Sequence, residues 1–247
     1  TVSFAIFLVL KKEFNFDFKS TKFFAGHSLG EYSALVCAES LNFKDALYLL
    51  YERGKSMQEA VPVGKGAMIA VLGSQLGEIN NFLKNVKTKG VCEVANDNAD
   101  GQIIISGNVE CINDLKNTLK ENKKKFIPLN VSAPFHCSLM KPAAIKMKDK
   151  INSIDFQKPK FDIVCNVTSK PESNPENIKR LLVDQIFSTV RWRESVINMS
   201  KGDITNFIEL GPGKVLSGMV KRTVKNINCF SINSIDDMKK IINEFKK

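Results

Sequence analysis

The sequence predicts an α/β protein in which a large domain with a mainly parallel sheet carries an inserted, smaller ferredoxin-like subdomain. Three observations point there. Short apolar runs alternate with amphipathic stretches along most of the chain, the pattern of a largely parallel sheet covered by helices. Within residues 63–133 the order becomes strand-helix-strand-strand-helix-strand, that of a ferredoxin-like unit. After Pro134 the simple alternation resumes. The expected division is therefore residues 1–62 with 134–247 for the large domain and 63–133 for the inserted one.

Taken in order, residues 1–10 form an apolar run that stops at Lys11-Lys12. The run is too short to span a bilayer and lacks a basic leader and a small-residue cleavage site, so it reads as a buried helix. A strand over 21–25 ends at Gly26, and a helix follows over 29–39. The next helix runs from Asn42 to about residue 60, with Asp45 placed to complete a capping box. The inserted unit reads as strand 67–72, helix 78–87, strands 91–95 and 103–106, helix 109–122 and strand 125–131. Beyond it come helix 138–151, strand 161–167, helices 175–187 and 192–200, strand 205–210, helix 214–224, strand 228–232 and helix 235–245.

With 247 residues, 43% hydrophobic and 25% charged, the chain has material for one large domain or for a large and a small one. Six cysteines show no CxxC and no metal-ligand spacing, so they read as small hydrophobes in a reduced protein without a metal. The net charge is +10, but only five of the 36 basic residues are Arg. Nucleic-acid surfaces cluster Arg with aromatics, and this chain does not. An abundance of Lys and Asn is what an AT-rich genome produces. Neither nucleic acid nor membrane is expected as a partner; an acidic protein fits the charge.

The sharpest local signal is Gly26-His27-Ser28-Leu29-Gly30, a G-x-S-x-G between a strand and a helix. That is the context of a nucleophile elbow, the hydrolase-like feature of the large domain. The helix behind the serine aims free N–H groups and a positive dipole end at a developing oxyanion. The bland alternative is a Gly-rich turn with a capping serine. A serine nucleophile needs a base, and the chain has two histidines. His27 adjoins Ser28 and should point away from it. His136 follows a predicted strand in Ser132-Ala133-Pro134-Phe135-His136-Cys137, a Pro-interrupted loop of the kind that carries function.

The run from Ala25 to Cys37 resembles the active-site segment of the malonyl-CoA:acyl carrier protein transacylases of type II fatty acid synthesis. The resemblance continues through residues 53–60, Gly66-Ala67-Met68, Asn96 and Asn98, Gly101-Gln102, 134–142, Gln185 to Trp192, and 209–216. It implies that Ser28 is the acylated nucleophile, His136 its base, and the Leu29 N–H an oxyanion donor. It also implies that the backbone carbonyl of Gln185 orients His136. Arg53 would hold the malonyl carboxylate, an assignment suited to a guanidinium fork. Met57, Phe135 and Asn98 would line the substrate site, with the Phe135 ring removing room for an α-methyl group. Read without the family, Arg53 on an amphipathic helix is a solvated surface residue.

No cofactor is implied, because the thioester is already activated; the partners are coenzyme A thioester and acyl carrier protein, and the chain is expected to be a monomer. The compartment would be the cytoplasm in a bacterium, or a plastid-like organelle or mitochondrion in an AT-rich eukaryote. The family opens with a strand and a Gly-Gln-Gly-Ser-Gln motif whose first Gln donates a second oxyanion N–H. The chain starts inside that pattern, at Thr1: either the sequence is truncated or its activity is impaired. Loss of such a donor costs ~10²–10³ in rate. Two other readings stand beside transacylation. One is an esterase in the order Ser…Asp…His, for which Asp97, Asp100 and Asp114 lie between Ser28 and His136. The other is a non-catalytic module that binds coenzyme A or carrier protein.

Overall fold

The computed structural model describes residues 1–201 and 203–245. Helix α1 (Val2–Lys12) buries Ile6, Phe7 and Leu10. Strand β1 (Phe23–Ala25) leads through the elbow into α2 (Leu29–Cys37), followed by α3 (Phe43–Glu59). Asn42 caps α3, its side chain accepting the Asp45 N–H at 2.9 Å, while the Asp45 carboxylate meets the Asn42 side-chain amide rather than the backbone N–H of a full capping box.

Four strands then form one antiparallel sheet in the order β3-β4-β2-β5: β2 (Gly66–Leu72), β3 (Cys92–Ala99), β4 (Gln102–Asn108) and β5 (Lys125–Pro128). With α4 (Leu76–Lys84) and α5 (Val109–Glu121) this is the ferredoxin-like arrangement, central strands β2 and β4 side by side. Side chains alternate across it as period-2 geometry requires. Ile69, Val71, Ile103 and Ile105 face the two helices, with Ile79, Ile112, Leu115 and Leu119 closing the cluster. Met68, Ala70 and Ile104 face the opposite way, toward Phe135.

The remaining elements are α6 (Lys141–Asn152), β6 (Asp162–Val164), β7 (Pro171–Glu172), α7 (Pro175–Gln185), α8 (Trp192–Ser200), β8 (Asn206–Leu210), α9 (Val215–Thr223), β9 (Asn228–Ile232) and α10 (Ile235–Phe245). Parallel pairing is present, but in two separate pieces: β1 with β6, and β8 with β9. Strand β7 adds an antiparallel edge to β6. The helix expected over 138–151 begins instead as a 3-10 turn, Ser138–Met140, ahead of α6. The main apolar cluster joins α2, α3, α6 and α7 around Tyr32, Leu35, Leu49, Met147 and Leu182. Strand β3 ties the antiparallel sheet to the rest of the chain: Val190 donates to Ala95 at 2.9 Å and Asp97 donates to Val190 at 3.0 Å.

Candidate active site

The elbow is built on glycine. A Cβ on Gly26 would lie 2.0 Å from the carbonyl of Gly30, so no side chain fits where β1 turns into α2. The turn holds Ser28 at φ 51° and ψ −109°, a conformation an L-residue rarely adopts. Asn166, just past β6, pins the turn on both sides. Its Oδ1 accepts the Ser28 N–H at 2.7 Å and its Nδ2 donates to the Gly26 carbonyl at 2.8 Å. Leu29 opens α2, where a helix leaves N–H groups without i−4 partners, while its side chain is exposed.

His136 arrives on the loop after β5. Pro134 packs onto the start of β2, where a Cβ on Gly66 would lie 2.4 Å from the proline ring. The imidazole is buried and oriented from both ends. Helix α7 stops at Gln185, whose carbonyl belongs to the last turn and so has no helical N–H to accept. His136 Nδ1 fills that role at 2.9 Å. A carbonyl can only accept, so Nδ1 carries the hydrogen, and Nε2 of the neutral ring accepts the Ser28 hydroxyl at 2.7 Å. Burial first, then the charge of Arg53, pushes His136 down to about 3, which keeps the imidazole neutral.

Arg53 is not a solvated surface residue. It stands on the face of α3 that carries Ala46, Leu49, Ser56 and Met57, and is itself buried. Its Nη2 donates to Ser28 Oγ and to Gln185 Oε1, each at 3.0 Å. No carboxylate lies within salt-bridge reach of it among the described residues, and its Nε–H is buried without a hydrogen-bond partner there. The guanidinium is a buried cation beside the hydrogen-bonded Ser28–His136 pair.

The other substrate-lining expectations fall at varied distances from this centre. Phe135 packs between the main cluster and the underside of the antiparallel sheet. Met57 is buried within the main cluster. Asn98 accepts from His27 Nε2 at 2.8 Å, and the His27 ring meets Trp192 edge-on, so His27 turns away from the dyad. None of the three candidate aspartates touches His136. Asp97 pairs with Arg193, with Asp100 at the edge of that pair, and Asp114 accepts from Lys87 and Thr88. A groove of about 460 Å³ reaches His136 between the strand around Glu93 and the segment Phe187–Thr189. A larger cavity of about 510 Å³ lies between β1 and β8 and touches neither Ser28 nor His136. The residues beside this centre that sequence reasoning missed are Asn166 and Glu31; the first carries no motif, and the second sits just past the G-x-S-x-G motif but belongs to a residue type rarely buried.

This geometry suits acyl transfer to and from a serine, and the comparisons agree. The acyl transferase domain family matches residues 19–246. The malonyl CoA-acyl carrier protein transacylase of Bacillus subtilis (strain 168) is 41% identical over 227 residues, 91% of this chain and 72% of that protein. The chain belongs to the malonyl CoA-acyl carrier protein transacylase family. The Escherichia coli (strain K12) transacylase is likewise 41% identical, over 87% of this chain and 70% of its own length. The crystal structure of acyl-carrier-protein-S-malonyltransferase from Bartonella henselae superposes with a TM-score of 0.95 at 36% identity, over 100% of this chain and 79% of that one. A malonyl-transacylase solved in complex with a type II polyketide synthase acyl-carrier protein gives 0.94 at 38% identity, over 98% of this chain and 78% of that one.

Proposed function

We propose that the chain moves a malonyl group from malonyl-CoA to the phosphopantetheine thiol of an acyl carrier protein, through a malonyl ester on Ser28. The observation that carries this is one shared oxygen. Ser28 Oγ lies 2.7 Å from a neutral imidazole nitrogen and 3.0 Å from a buried guanidinium. A plain esterase needs the first contact; only a substrate with its own carboxylate gives the second a purpose.

In the first half-reaction Ser28 Oγ attacks the thioester carbonyl while His136 Nε2 takes its proton. The Leu29 N–H faces the oxyanion. The C–S bond breaks, and the thiolate of coenzyme A leaves with the proton from His136. In the second half the carrier-protein thiol gives its proton to His136 and attacks the malonyl ester; the ester C–O bond breaks, and the Ser28 oxygen leaves with the proton from His136, which restores the neutral pair. Arg53 holds the malonyl carboxylate throughout, and Gln185 keeps the imidazole tautomer. Phe135, Met57 and Asn98 complete the substrate surroundings. The thioester supplies the activation, so the route calls for no cofactor.

The same reading takes residues 63–133 as a subdomain between the two parts of the large one, and the chain as a monomer. It would act where coenzyme A thioesters and carrier protein meet: the cytoplasm of a bacterium, or a eukaryotic plastid-like organelle or mitochondrion. Among the described residues no helix is long and apolar enough to cross a membrane.

The test is intact-protein mass spectrometry after brief exposure to malonyl-CoA, beside Ser28→Ala. A malonyl-sized adduct that the variant lacks supports the proposal. No adduct on either protein removes it and leaves a binding module. Turnover of uncharged esters without transfer to a thiol would instead make the chain an esterase.

A further inference from the structure

Beneath the dyad lies a carboxylate that the acyl-transfer steps do not use. Glu31, in the first turn of α2, is almost fully buried. Its Oε2 accepts two hydrogen bonds, from Gln185 Nε2 at 2.9 Å and from the Asn166 backbone N–H at 3.0 Å. Each donor leads to one half of the site. Asn166 clamps Gly26 and Ser28. Gln185 holds His136 through its main chain and reaches Arg53 and the Ser28 carbonyl through its side chain.

The Gln185 amide therefore sits between a carboxylate and a guanidinium, with its NH₂ toward Glu31 and its oxygen toward Arg53. Turning the amide over would set oxygen against carboxylate and NH₂ against guanidinium, and both contacts would repel. A buried acid on a neutral amide is costly unless its charge has a task.

We propose that the negative charge of Glu31 is a positioning device: it orients the Gln185 amide and the Asn166 turn, and so holds Ser28, His136 and Arg53 in one register. The groups facing it are Arg53 from α3, Tyr32 from its own helix and Cys165 from the end of β6, besides the neutral Asn166 and Gln185. Glu31 touches no reacting atom.

This inference deepens the acyl-transfer reading, and its test needs only the Ser28–His136 pair. Wild type, Glu31→Gln and Glu31→Asp are reacted at pH 8 with a fluorophosphonate, which labels an activated serine and carries no malonyl group. The rate of Ser28 labelling is followed by intact mass, with folding checked by far-UV circular dichroism and melting. Glutamine copies the shape and one accepting oxygen of Glu31 without its charge. Aspartate keeps the charge one methylene short. A part that merely fills space would tolerate glutamine better, whereas a charge that orients an amide tolerates aspartate better. The expected result is a folded Glu31→Gln slowed about tenfold, the scale of a small misplacement of catalytic groups, with Glu31→Asp the faster variant. Glu31→Gln within about threefold of wild type, or faster than Glu31→Asp, overturns the proposal. If Glu31→Gln does not fold, Glu31→Asp decides: labelling within about threefold of wild type upholds it and slower labelling overturns it. Normal labelling without malonyl transfer would sink the substrate assignment alone; a wild type that does not label at all would sink both.

Discussion

The carboxylate of Glu93 on β3 accepts both the backbone N–H and the hydroxyl of Ser138, at 2.8 and 2.7 Å. Ser138 stands two residues past His136, so a strand of the antiparallel sheet anchors the loop that carries that imidazole. Replacing Glu93 with Ala leaves both donors without their charged acceptor. The expected cost is about 2 kcal/mol in urea unfolding. Ser28 labelling should slow as the imidazole loosens. Unchanged stability would mean that water replaces the carboxylate at no cost.

Arg53 donates to Ser28 Oγ and has no carboxylate partner of its own among the described residues. Replacing Arg53 with Ala should depress malonyl loading far more than acetyl loading, read as kcat/KM for each thioester. Equal losses would assign the guanidinium to the architecture of the site alone.

The same cation acts on the His136 imidazole. Its charge lies among the causes that hold His136 down at about 3, so removing it lets the imidazole protonate at a higher pH. NMR titration is direct, because the chain has only two histidines. In wild type the His136 ring should stay neutral at pH 5, and in Arg53→Gln its midpoint should move upward. A midpoint that does not move would remove Arg53 from the causes and leave burial as the main one.

Strain at the elbow predicts an inverted order of stability. Ser28→Ala and Ser28→Gly both delete the hydroxyl, but only alanine keeps a Cβ at φ 51°. The glycine variant should be the more stable of the two by on the order of 1–3 kcal/mol, though glycine ordinarily weakens a fold. Thermal unfolding of the pair, both inactive, measures the difference.

Burial pushes Glu31 up to about 7 from an ordinary value of 4.5, against the opposing pull of its hydrogen bonds and Arg53. Between those values the folded chain keeps a proton that the unfolded chain has released. Stability from this group is therefore full below 4.5 and declines as pH rises to about 7. The decline should be on the order of 3 kcal/mol. Comparing wild type with Glu31→Gln isolates it: the variant should gain relative stability from pH 4.5 to pH 8. A constant difference would mean Glu31 is already ionised throughout.

The sequence made the elbow legible because its requirement is local. Gly26 must lack a side chain for a strand to turn into a helix around Ser28, because a Cβ there would run into the Gly30 carbonyl, and that need is written within five residues. The antiparallel unit was legible for a related reason, since its strands alternate faces at period 2. Arg53 was half legible. The spacing of Ala46, Leu49, Arg53 and Met57 puts the arginine on the buried stripe of α3, but a charged residue there looks like an interruption of the stripe rather than a member. Asn166 was not legible at all, because its partners at Gly26 and Ser28 are 140 and 138 residues away and nothing in a lone asparagine after a strand announces them. The carbonyl of Gln185 is a main-chain atom, freed by where α7 happens to stop.

The buried Nε–H of Arg53, a donor without a partner in a site whose nearest anion is screened by an amide, has a practical side. A cation of this kind attracts a carboxylate whether or not a thioester is attached to it. Small carboxylates of similar reach, free malonate first among them, should occupy the site and slow loading in competition with malonyl-CoA. Acetate buffers would then depress measured rates, and part of any apparent pH optimum could belong to the buffer rather than to the protein.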